Sequence, residues 1–98
     1  MRVITEKSAN AFMNAKSFKQ SNTEVEVLPN VTIMKLFGNP IAYLYNDPVM
    51  TLTITSAGHK TNTTKERLNG IEGVNIVQRK GKWYLNGQEW DGKKIDIN

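Results

Sequence analysis

Residues 79–94 read RKGKWYLNGQEWDGKK and hold both tryptophans of the chain, set among Arg79, Lys80, Lys82, Lys93 and Lys94. Basic residues interleaved with aromatic ones suit a nucleic-acid platform, and they suit a β-hairpin with one wet face equally well. The turns decide. Lys80-Gly81, Asn86-Gly87 and Asp91-Gly92 are each favourable two-residue hairpin turns. The first pairs Gln78 with Trp83, Val77 with Tyr84 and Ile76 with Leu85. The second pairs Leu85 with Gln88, Tyr84 with Glu89 and Trp83 with Trp90. The third pairs Trp90 with Lys93, Glu89 with Lys94 and Gln88 with Ile95.

These registers agree with one another. One face collects Val74, Ile76, Trp83, Leu85, Trp90, Ile95 and Ile97; the other collects Arg79, Lys82, Tyr84, Glu89, Lys94 and Asp96, with Val77 out of place. A slip of one residue would expose both tryptophans, so the pattern specifies its register and reads them as core anchors. Three residues between two tight turns make a very short strand, which leaves one turn open to being a wider loop. On the wet face, Tyr84 stands between Arg79, Lys82 and Lys94, where a ring can stack on a base and cations can meet phosphates. The same residues also read as a solvated face with a Glu89–Lys94 cross-strand pair.

Upstream lies GHKTNTTKER, residues 58–67. Thr63 and Glu66 have the spacing of a capping box, and Gly70 stops the helix they begin after about two turns. Lys60, Lys65 and Arg67 sit at or near the positive end of that helix, an anion-attracting arrangement that lacks the glycine spacing of a nucleotide loop. An ordinary capped helix after a polar loop reads the same way.

Between residues 23 and 55 the period is two. Val25 and Val27 alternate with Glu24 and Glu26, Val31 to Phe37 and Ile41 to Tyr45 are apolar runs, and Met50, Leu52 and Ile54 alternate with Thr51, Thr53 and Thr55. The last set implies one buried and one wet face. Pro29-Asn30, Gly38-Asn39-Pro40 and Asn46-Asp47-Pro48 separate the runs as turns. At the front, Thr5 is placed to cap a helix whose Ala9, Phe12, Met13 and Lys16 stem share one face, ended by the polar positions around 17–23. The expectation is a single α+β domain over residues 1–98: an N-terminal helix, an antiparallel four-stranded meander, a short helix, and a C-terminal three-stranded antiparallel meander, with strand exceeding helix.

The composition narrows the function. The chain has no cysteine, which excludes disulfides and thiolate chemistry. Its single histidine, His59, has no nucleophile motif or ligand cluster to serve, so neither an enzyme nor a metal or other cofactor is expected. No apolar run reaches the length of a membrane span. The net charge is +4, and residues 51–98 carry eight cations against five anions where residues 1–50 carry five against four. That imbalance suits a polyanionic partner or plain solubility.

The runs TITSAGHKTNTTKERLNGI (residues 53–71) and KWYLNGQEWDG (residues 82–92) resemble small accessory proteins encoded by tailed bacteriophages. Gly58, Thr61 to Lys65, Arg67-Leu68-Asn69, Trp83 to Gly87 and Trp90 carry the likeness, which spans residues 51–92. It implies the cytoplasm of an infected bacterium as the setting and assigns no site. The expected function is binding, with nucleic acid as the leading partner through Lys60, Lys65, Arg67, Arg79, Lys80, Lys82, Tyr84 and Lys94. The alternative is a protein-binding inhibitor or modulator of a host or defence enzyme, with Phe37, Tyr43 and Tyr45 as interface anchors. A homo-oligomer joined at an exposed strand edge is compatible with either.

Overall fold

The computed structural model describes residues 2–98. In chain order the elements are α1 (Val3–Met13), β1 (Phe18–Gln20), β2 (Thr23–Val27), β3 (Val31–Leu36), β4 (Asn39–Tyr45), β5 (Leu52–Ile54), α2 (Asn62–Asn69), β6 (Ile76–Arg79), β7 (Lys82–Leu85), β8 (Gln88–Glu89) and β9 (Ile95–Asp96). The class is α+β, the order of elements follows the sequence expectation, and strand outweighs helix. Two antiparallel sheets form: a main one in the order β1-β2-β3-β4-β5-β9, and a small one in the order β6-β7-β8.

Period-two patterning sets the main sheet. Thr23 and Val25 on β2 and Thr32, Met34 and Leu36 on β3 point to the core, while Glu24, Glu26, Ile33 and Lys35 face the other way. The β3–β4 register shifts between Met34 and Lys35. This bulge inserts Ile41, so Ile41 and Ala42 are both buried although adjacent on one strand. Phe12, Leu68 and Ile71 close over this face beside Trp83 and Trp90.

The small sheet has strands of two to four residues, too short to stand alone. Its tryptophans anchor it. Trp83 is 2% exposed and Trp90 6%, with ring centroids 6.0 Å apart, and each buried ring contributes several times what a surface contact does. The expected registers of the first two hairpins hold: Ile76 pairs with Leu85, Gln78 with Trp83, and Tyr84 with Glu89.

The third hairpin does not form. The indole N–H of Trp90 donates to the Lys93 carbonyl at 2.9 Å, and the chain crosses to the main sheet, where β9 pairs with β5. This crossing fills what would be a bare edge and covers the threonine face of β5. Thr53 donates to Asp96 and Thr55 to the Gly92 carbonyl, so two of the three threonines expected to be wet are buried, and Thr51 is half-buried. Met50, expected inside, is 45% exposed in the preceding turn.

Both helices start earlier than the capping patterns suggest, α1 by three residues and α2 by two. Arg2 caps α1, and Thr5 lies within it, buried with Ser8, Ala9, Ala11 and Phe12, while Met13 and Lys16 face out. Thr61 caps α2 by accepting from the Thr64 amide, which takes the role expected of Thr63. Residues 18–20, expected as a loop, form the edge strand β1. No helix among the described residues is long and apolar enough to cross a membrane.

Candidate nucleic-acid interface

The β6–β7 hairpin owes its position to two asparagines. The Asn69 side chain at the end of α2 accepts from the Ile76 amide at 2.6 Å and donates to the Ile76 carbonyl at 2.9 Å, imitating a neighbouring strand. Asn86 accepts from the Asn75 amide and donates to the Gly73 carbonyl. Together they fasten the start of β6 to α2 on one side and to the next turn on the other. No sequence motif singles these two residues out beyond their place in a turn and a helix end.

This clamp brings α2 against the Gln78–Trp83 rung of the small sheet. Lys65 donates to the Gln78 side chain at 3.1 Å, and the Lys60 ammonium lies 5.5 Å from the Trp83 ring centroid. Arg79 and Lys82 pair on the next rung, and Lys80 occupies the turn with φ 51°. Successive rungs face opposite ways. Lys60 and Lys65 therefore flank one face of the hairpin end, Arg79 and Lys82 flank the other, and Lys80 stands at the tip. Tyr84 is half-buried beside Val77 on the Arg79 face. Among the described residues the one ion pair made by these cations is Lys82–Glu89 at 3.8 Å, between side chains 62% and 59% exposed, which screens little of their charge.

Two expected members leave the set. Arg67 is buried at 1% exposure, with Nε donating to Thr23 at 2.9 Å and Nη1 to Thr5 at 2.8 Å. Its neighbour Glu66, expected to close a capping box, instead accepts from Thr5 and pairs with Arg67 at 3.4 Å. Burial holds the guanidinium below its ordinary pKa, opposed by the Glu66 charge. A side chain with these partners ties α1, α2 and the start of β2 together. Lys94 departs because β9 joins the main sheet: its ammonium lies 4.6 Å over the ring of Tyr43, and the expected Glu89–Lys94 pair is replaced by Glu89–Lys82.

Lys94 thereby marks a second surface. Tyr43 and Tyr45 project from β4 on the side of the main sheet opposite the core, their rings nearly parallel at 9° and 6.1 Å between centroids. Around them lie Ile33, the Glu26–Lys35 ion pair at 2.7 Å, and Asp47, whose carboxyl the Thr51 hydroxyl and amide hold below the ordinary aspartate range. Phe37, grouped with these tyrosines as an interface anchor, sits apart in the β3–β4 turn at 70% exposure.

A small α+β protein with a cationic hairpin on one side and an uncovered tyrosine-bearing sheet face on another is what the fold defines. The chain belongs to the Kyanoviridae Gp96 protein family, a family of bacteriophage proteins, which it matches over residues 1–96. No curated protein and no solved structure matches it.

Proposed function

We propose that this phage protein is a non-enzymatic binding protein that grips nucleic acid by its backbone at the end of the β6–β7 hairpin. One observation carries the reading. Packing of α2 on the small sheet sets Lys60 and Lys65 at the rung next to Arg79 and Lys82, with Lys80 between them at the tip. Cations on both faces and the tip of a narrow ribbon suit the phosphate backbone, whose contacts fix position without reading sequence. No set of amide and guanidinium side chains here resembles a base-reading code, so binding is weakly selective. Gel retardation of single- and double-stranded DNA and of RNA at low salt tests it. Retarded complexes that dissolve as salt rises support the reading, and no retardation of any of the three removes it.

The stacked pair Tyr43 and Tyr45 favours a second reading, attachment to a host protein through the open sheet face. Aromatic anchors inside a rim of paired charges have the anatomy of an interface centre. Capture from a bacterial lysate that survives nuclease and is lost in Tyr43→Ala supports this reading; capture abolished by nuclease supports the first.

A further inference from the structure

Phe37 and Gly38 occupy the two central positions of the β3–β4 hairpin turn, with φ of 52° and 79°. That backbone region suits glycine and asparagine, and it strains a large side chain. Phe37 gains nothing from packing in exchange, because it is 70% exposed. An aromatic ring held in an unfavourable conformation without burial is a feature that folding does not explain. Beneath it lies a cleft of about 240 Å³ between this turn and the N-terminal end of α2. Leu36, Phe37, Ile41 and Ala57 give it apolar walls, and His59 and Thr61 add groups able to hydrogen-bond.

The cleft is smaller than the roughly 300–1,000 Å³ that holds a drug-sized ligand, so it takes one planar ring system and little more. Lys60 links it to the cationic hairpin through the chain. His59 lines it, and the next residue, Lys60, carries its ammonium over Trp83. A ligand that fills the cleft and continues along the chain past residue 60 meets positive charge at once. An apolar ring tethered to a polyanion matches both halves, whereas an apolar peptide side chain matches only the first. We propose that this cleft seats one unpaired nucleobase of a single strand, whose phosphates run on to Lys60 and the hairpin cations. The inference rests on the nucleic-acid reading above and adds to it a preference for single strands, since a base within a duplex cannot enter a cleft of this size.

The test compares a fluorescent single-stranded oligonucleotide with its duplex by anisotropy at low salt, using the full chain, Phe37→Asn, and Lys80→Ala with Lys82→Ala. Asparagine suits the turn better than phenylalanine does, so Phe37→Asn folds with a melting temperature no lower than the parent. Loss of one base–aromatic contact should weaken its single-strand binding by roughly 5- to 150-fold and leave duplex binding unchanged. The lysine variant should weaken on both. Unchanged single-strand binding by Phe37→Asn, or an equal loss on both substrates, overturns the cleft inference, and the hairpin reading stands if the lysine variant still weakens. If the parent protein binds neither substrate at low salt, both ideas fall and the protein-partner reading remains.

Discussion

Arg67 and Gly70 explain each other through Thr5. The guanidinium donates to the Thr5 hydroxyl at 2.8 Å, and that hydroxyl donates in turn to Glu66, which fixes the threonine side chain between the two helices. Its methyl group then lies 2.6 Å from where a Cβ on Gly70 would stand, and its carbonyl 3.2 Å away. Gly70 has φ −73°, so close approach and not a left-handed turn demands glycine here. Gly70→Ala should therefore cost about 1–3 kcal/mol, as overpacking does when the neighbour cannot move, read as a lower midpoint in urea. Arg67→Met keeps the volume and removes the donors, leaving Thr5, Thr23 and Glu66 without their partner. The expected loss is about 3 kcal/mol, because Glu66 loses its cation and the Thr5 and Thr23 hydroxyls keep only their bonds to Glu66 and Asn22. An Arg67→Met protein as stable as the parent would show that the network contributes nothing net.

At the scale of elements, the clamp between Asn69 and Ile76 decides where the hairpin points. Asn69→Ala removes both hydrogen bonds to the β6 backbone and leaves the Ile76 amide and carbonyl facing the end of α2 without that partner. A loss of about 1–3 kcal/mol follows, together with faster hydrogen exchange at the Ile76 amide, while amides of β3 and β4 keep their protection. The hairpin registers were legible in the sequence because two-residue turns fix pairing by geometry and the tryptophans penalise a slip. The third hairpin was misread because Asp91-Gly92 carries the same local signal as the other two turns. What overrules it is tertiary: an open edge on β5 and an indole N–H that needs the Lys93 carbonyl. Arg67 was misread for a related reason. A lone arginine in a polar helix reads as surface, and its partners Thr23 and Thr5 lie 44 and 62 residues away in the chain. The candidate site was legible as far as Lys60, Lys65, Arg79, Lys80 and Lys82, which nearby turns and a short helix bring together, and it failed where long-range pairing took Lys94 elsewhere.

Across the whole molecule, the charge is arranged more tellingly than its sum. The chain carries a net +4, yet the open face of the main sheet sets Glu26 against Lys35 and brings Lys94 over Tyr43 close to Asp96, so its charges are largely balanced locally. Among the described residues the hairpin end has no comparable neutralisation, since Glu89 alone pairs there and does so in water. On the proposed reading, a polyanion would be drawn to the hairpin, and each phosphate contact made there would release counterions. Replacing Lys80 and Lys82 by Ala should flatten the slope of log K against log salt by roughly 0.7–0.9 for each lysine, according to whether the strand is single or double. The domain stays folded because both side chains are exposed. Lys94→Ala is the discriminating control. It removes the same unit of charge from the molecule but from the tyrosine face, so its slope should match that of the parent. Equal flattening by Lys94→Ala and by Lys82→Ala would mean that net charge alone drives association, with no localised hairpin site; a change confined to Lys80 and Lys82 ties binding to the ribbon that Asn69 and the two tryptophans hold in place.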